Sequence, residues 1–340
     1  MDLINTTDYL VDDFAVVRNG THFTVPASKL VTVLPLFMTF IIGVITNGLY
    51  LWVLKFKMKK SVNTLLFFHL ILSYFISTSV LPFIATSFLQ DNHWIFGTAL
   101  CKICNSTLTV GMFASVLFLS AISLDRYLLT LHPVWSQQHR TSRWAFGIIL
   151  AVWISAVTFS VPYLVFRETY HDQQGKVICR NNYAVSTDWE SGELQTLRQR
   201  IHAACFISRF ILAFLLPFFF IIFCYQRVAC KMKERGLFKS SKPFKVMMTA
   251  VISFFMCWMP YHVHQGLILT KQQPPLTEVT LTLTVVTTSF NAVFSPILYL
   301  FSGENFKNVF KKSILTLFES TFTEDASAER TQNLHSGDII

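Results

Sequence analysis

Residues 101–131 read CKICNSTLTVGMFASVLFLSAISLDRYLLTL, an apolar run that ends around Asp125-Arg126-Tyr127. A helix of about 20 residues crosses the ~30 Å hydrocarbon core of a bilayer, so the run is long enough to span one. An acid and a guanidinium at the edge of such a span are expensive to keep near lipid, which marks them as residues with a task.

Six further runs of the same kind flank it. Together the seven cover 31–54, 62–88, 100–131, 144–166, 201–225, 244–269 and 279–301. The composition agrees: of 340 residues, 52% are hydrophobic and only 14% charged, with a mean hydropathy of +0.47. That balance is foreign to a soluble domain. Backbone polar groups in lipid must be satisfied within the segment, so each run is predicted to be an α-helix. The predicted fold is an all-α membrane protein, a seven-transmembrane helix bundle over 31–301 with no second domain or internal repeat.

Phe306, Phe310, Ile314 and Phe318 recur every fourth residue while Lys307, Lys311 and Lys312 lie off that stripe. This pattern predicts a short amphipathic eighth helix over 302–319, lying on membrane lipid. Residues 320–340 mix Ser320, Thr321, Thr323 and Ser327 with acids and read as a disordered cytoplasmic tail, a candidate for kinases and for arrestin.

Lysine and arginine cluster in alternate connections: Lys55 to Lys60, Arg140 and Arg143, Arg227 to Lys245, and Lys307 to Lys312. The intervening segments are acidic or balanced, and the chain starts with Asp2, Asp8, Asp12 and Asp13. Such asymmetry puts the N-terminus outside and the C-terminus in the cytoplasm of a plasma-membrane protein. The net charge of +9 then reflects topology and anionic inner-leaflet lipid rather than nucleic acid. Residues 1–30 lack a basic stretch followed by an apolar core, so the first span is expected to act as its own insertion signal. The sequons at Asn5 and Asn19 fall on the outer side, where glycosylation occurs; a third, at Asn105, falls within a predicted helix and is expected to stay unmodified.

Of seven cysteines, Cys101 opens the third span and Cys179 lies in the long outer loop of about 167–200. Both face an oxidising compartment, where a disulfide persists; Cys104, one turn from Cys101, is the competing partner. Asp125 is the one carboxylate within the spans, against the buried acids that an ion-coupled transporter needs. His262 and His264, two residues apart on one helix, point to different faces and make a poor metal site. No cofactor motif, metal-ligand cluster or nucleophile–base pair is apparent, so an enzyme is not expected.

The chain resembles the rhodopsin-like G-protein-coupled receptors. The resemblance rests on landmarks in register: Asn47, Trp94-Ile95-Phe96-Gly97 before Cys101, Asp125-Arg126-Tyr127, Trp153, Pro217 with Tyr225, Cys257-Trp258-Met259-Pro260 and Ser295-Pro296-Ile297-Leu298-Tyr299. The second inner loop, from Asp125 to Thr141, is similar to that of the chemoattractant subgroup, which includes the formyl-peptide, anaphylatoxin and chemerin receptors. The resemblance implies that Asp125 and Arg126 restrain an inactive state and that Arg126 contacts a heterotrimeric G protein once the sixth helix swings out. Tyr225 and Tyr299 would support the open state. Pro260 kinks the sixth helix, and Trp258 would couple ligand contact to that hinge. Arg209 stands where several chemoattractant receptors hold a peptide's anionic end, with Tyr261 and His262 as further pocket lining. An arginine at a helix end can also simply snorkel to headgroups.

Two positions depart from the family pattern. Tyr74 replaces the aspartate that binds sodium, and Ser295 replaces the polar residue before Pro296. The predicted function is a receptor for an extracellular peptide or small protein, signalling through an inhibitory-class heterotrimeric G protein. The departures motivate the alternative of a non-signalling scavenger or decoy on the same scaffold, against which the intact Asp125-Arg126-Tyr127 argues.

Overall fold

In the computed structural model, residues 14–18, 21–25, 27–173, 175–186, 194–236, 242–272, 275–302, 308–309 and 311–312 are described. The sequons at Asn5 and Asn19, the tail over 320–340 and most of the helix expected over 302–319 lie outside the described residues. Ser295, Pro296 and Tyr299 lie on a described helix, but their side chains fall outside the description.

The first span is α1 (Ala27–Phe56) and the second is α2 (Val62–Ser79) followed by α3 (Leu81–Leu89). The third is α4 (Gly97–Leu131), the fourth α6 (Ser142–Phe166), and a short α5 (Pro133–His139) lies between them. The fifth joins α7 (Gln195–Phe210) and α8 (Leu216–Glu234) through a π-helical turn, Ile211–Leu215. The sixth and seventh are α9 (Lys242–Leu269) and α10 (Leu276–Ser302). Two hairpins were not foreseen: β1 (Phe14–Arg18) with β2 (Thr21–Val25), and β3 (Arg167–His171) with β4 (Val177–Asn181), both antiparallel.

The predicted second span is broken at Val80 by Pro82, in the first turn of α3. Proline has no N–H, and its ring crowds the carbonyl four residues back, here that of Thr78. The hydroxyls of Ser77, Thr78 and Ser79 donate to the carbonyls of Ser73 and Phe75 beside the break. Pro217 acts similarly in the fifth span, where the wider π-helical turn lies just ahead of it.

Helix α4 runs through the middle of the bundle, against α2, α6, α8 and β3. Its Phe113, Phe118 and Ile122 are fully enclosed. It approaches α2 closely because position 111 is glycine: a Cβ there would lie 3.2 Å from the Ser73 carbonyl oxygen and run into the Ser77 side chain. The outward faces are apolar, as at Phe146 and Ile154 on α6 and Phe219 and Phe223 on α8. Such surface suits lipid and would be a liability in water.

The end of the bundle where α4 begins is tied down covalently. Cys101 and Cys179 form a disulfide from α4 to β4, and Cys104 is free and buried, which resolves the competition between them. The loop before α4 joins the same hairpin: Trp94 N donates to the Val177 carbonyl at 2.8 Å, and Val177 N to His93 Nδ1 at 3.1 Å. Trp94 is buried and its indole N–H donates to the Gly97 carbonyl at 2.8 Å. Gly97 has φ +77°, a left-handed conformation that glycine adopts without strain, so the landmark tryptophan and glycine form one device. Replacing Cys101 or Cys179 by Ser should destabilise the detergent-solubilised protein by up to about 4 kcal/mol, the chain-entropy value for a loop of this order. Cys104→Ala should cost far less; a thermal unfolding series on the three variants checks the ranking.

Candidate functional site

A cavity of about 340 Å³ lies in the half of the bundle that carries the disulfide, lined by Arg167 and Asn181 of the hairpin and, among the helices, by Tyr74 and Asn291. Arg167 and Arg209 are its charged lining residues, and among the described residues no carboxylate lines it.

Arg209 lies in the last turn of α7 and is only 5% exposed. Its guanidinium carbon lies 5.0 Å from the ring centres of both Tyr163 on α6 and Tyr261 on α9. Nη2 donates to Gln265 Oε1 at 3.1 Å, while Nε has no acceptor among the described residues. Each ring offsets roughly 0.5–2 kcal/mol of the cost of the buried charge, against the ~3 kcal/mol that an arginine costs at the centre of a span. The site is stabilised but still short of an anion. Arg167 donates through Nη1 to Asn181 Oδ1 and through Nε to Cys179 Sγ, both at 3.3 Å. Burial pushes its guanidinium down to about 10, so it remains charged at neutral pH.

The expectation for His262 is not met. Its ring packs 5.3 Å from Phe210 and 4.8 Å from Phe214, and it is absent from the cavity lining. Adjacent helical positions are about 100° apart, so Tyr261 faces the cavity while His262 faces the fifth span. His264 turns elsewhere again, with Nδ1 3.0 Å from Thr280 Oγ1.

Trp258 lines the cavity, edge-on to Tyr261 at 5.5 Å and tilted on Phe254 at 6.0 Å. Two residues further along α9, Pro260 withholds the N–H that the Met256 carbonyl would otherwise receive. The hydroxyl of Thr287 on α10 lies 2.8 Å from the Cys257 carbonyl on α9 and 2.8 Å from the Leu283 carbonyl on its own helix, either of which can accept its one proton. The sixth and seventh spans thus approach within hydrogen-bond reach beside Pro260.

At the other end of α4, Asp125 is 1% exposed. Arg126 Nη2 lies 3.5 Å from its Oδ2, while Arg140, which follows α5, reaches its Oδ1 at 2.6 Å. Arg126 also donates to Asn63 Oδ1 on the first turn of α2. Tyr127 packs against His132 and Phe223, and Tyr225 is buried with its ring edge-on to Phe244 at 5.5 Å.

The description "7 transmembrane receptor (rhodopsin family)" matches residues 46–299. The chain belongs to the rhodopsin family of seven-transmembrane receptors. It is 74% identical to "Probable G-protein coupled receptor 33" of Homo sapiens over 332 residues, covering 98% of this chain and all of that one. The same-named protein of Mus musculus is 68% identical over 99% of both chains. "Chemerin-like receptor 1" of Homo sapiens is 36% identical over 94% of this chain and 86% of its own, in line with the chemoattractant subgroup read from the second inner loop. The family is one of membrane receptors that act through heterotrimeric G proteins, not of enzymes.

In this receptor Tyr74 is buried and lines the cavity, as do Ser115 and Asn291. These groups are neutral hydroxyls and amides. Asn47, fully enclosed, has neither amide atom partnered among the described residues. Four contributors escaped the sequence reading: Arg167, Tyr163 and Gln265 at the cavity, and Arg140 at the inner end. Arg140 read as a topological charge; the available signal was Pro133, which favours a helix start and turns the loop back under α4. Exchanging potassium for sodium at constant ionic strength should leave the receptor's unfolding temperature unchanged, because the described residues around Tyr74 include no carboxylate. Tyr74→Asp should introduce a sodium-dependent rise; sodium stabilisation of the wild type would contradict the reading.

Proposed function

We propose that this receptor sits in the plasma membrane with its N-terminus outside, binds an extracellular peptide or small protein, and activates an inhibitory-class heterotrimeric G protein. The observation that carries the ligand reading is the cavity with two guanidiniums and, among the described residues, no carboxylate in its lining. A ligand with an anionic end supplies the charge that Arg209 and Arg167 lack, with Tyr163 and Tyr261 shaping the walls. The ligand shifts an equilibrium between closed and open bundles through Trp258 and the weak point at Pro260. Opening frees Arg126 for the G protein, with Tyr225 and Tyr299 supporting that state. Pro296 supplies a second flexible point, in the seventh span, and Ser295 lowers the polarity beside it.

The same reading divides the chain into a glycosylated outer segment over 1–30, with sugars on Asn5 and Asn19, the bundle over 31–301, a lipid-bound helix over 302–319 and an arrestin-binding tail over 320–340. Support comes from the sequons, the distribution of lysine and arginine, and the stripe from Phe306 to Phe318.

A screen of inflammatory peptides, each as free acid and as C-terminal amide, tests the proposal with G-protein dissociation as readout. An active acid should lose roughly 10- to 100-fold in potency on amidation or in Arg209→Gln, the scale of one hydrogen bond to a charged group. Arg126→Ala should abolish dissociation while leaving ligand binding in place. Specific binding with no dissociation from any G protein would instead establish the decoy alternative.

A further inference from the structure

The adjacency of Asp125 and Arg126 in sequence conceals how the inner cluster divides its contacts. Both carboxylate oxygens of Asp125 go to Arg140: Nε donates to Oδ1 at 2.6 Å and Nη2 to Oδ2 at 3.1 Å. A forked guanidinium on a carboxylate is the strongest ion-pair geometry available to side chains. Arg126 Nη2 lies 3.5 Å from Oδ2, close enough for Coulombic attraction but long for a charged hydrogen bond. Its hydrogen bond goes instead to Asn63 Oδ1.

The contacts therefore run Asn63–Arg126–Asp125–Arg140, linking α2, α4 and the end of α5. Pro133 begins α5, and its seven residues bring Arg140 back beneath α4, where the Arg140 N–H donates to the Ser136 carbonyl at 3.0 Å.

We infer that Asn63 and Arg140 are positioning residues for Arg126 with opposite effects. Asn63 holds the Arg126 guanidinium in its resting place. Arg140 competes for Asp125 and so weakens the acid's grip on Arg126. Removing Arg140 leaves Asp125, which is almost fully enclosed, with Arg126 as its one cation among the described residues. The nearer pair then tightens. Removing Asn63 deletes the hydrogen bond that fixes Arg126. The inference rests on the proposed coupling to a G protein, since basal activity reports how often Arg126 is released.

The test uses the full-length receptor in lipid nanodiscs without ligand, and two readouts. One is guanine-nucleotide exchange on a panel of heterotrimeric G proteins; the other is the spin-label distance between the inner ends of α4 and α9. Asn63→Ala should raise basal exchange several-fold and populate longer distances. Arg140→Ala should lower exchange several-fold and deplete them, with Arg140→Lys, which keeps the charge but loses the fork, falling between Arg140→Ala and the wild type. In an Asp125→Asn background, Arg140→Ala should have no further effect. If Arg140 merely tethers the loop, its loss will act equally with or without the acid, and the inference fails. It fails too if wild-type exchange is measurable and neither variant changes it. Distances that move as described without exchange on any G protein would uphold the inference and refute the coupling.

Discussion

A charge cannot be left unpartnered away from water, and this constraint orders the whole receptor. Most lysines and arginines lie in the connections, where they set topology. The exceptions each carry an arrangement that stabilises them. Asp125 is enclosed by two guanidiniums, Arg209 lies between two tyrosine rings with an amide on its edge, and Arg167 rests on Asn181. The three arrangements differ in what they leave unfilled. Asp125 is oversupplied with cations, whereas Arg209 and Arg167 share a cavity with no acid among its described lining residues. A site with a surplus of cation recognises anions, and a cluster with two cations on one acid can exchange partners.

In the proposed mechanism the two ends communicate through helices interrupted at particular places. Pro260 removes an N–H from the backbone of α9 two residues beyond Trp258, and the Thr287 hydroxyl on α10 lies within hydrogen-bond reach of the Cys257 carbonyl beside it. Pro82 breaks the second span, and the π-helical turn ahead of Pro217 widens the fifth. The covalent link from Cys101 to Cys179, with the strand bonds of His93 and Trp94, fixes the outer rim against which such motion is referenced. In the proposed mechanism the rim stays still and α9 moves.

The helices were legible because an apolar run of more than 20 residues has one solution in lipid. The breaks were less so: Pro82 and Pro217 are visible, but hydropathy does not register a kink that leaves the run apolar. The β3–β4 hairpin and α5 escaped because short elements in loops have no strong period. Cys179 was readable as a partner for Cys101, yet only the hairpin, which sets it beside α4, decides against Cys104. Arg209 stood out as a charge within a span. Arg167 and Arg140 did not, because at span ends and in loops an arginine is ordinary. His262 was misassigned by its neighbour in sequence, since on a helix the next residue faces elsewhere.

Each of these readings requires the chain to cross the membrane an odd number of times, with Asp125 and Arg126 at the cytoplasmic end. Small epitope tags at the two termini, probed with antibody before and after permeabilisation of intact cells, measure this directly. The N-terminal tag should be accessible from the start and the C-terminal tag only after permeabilisation. Accessibility of both tags on intact cells would contradict the account.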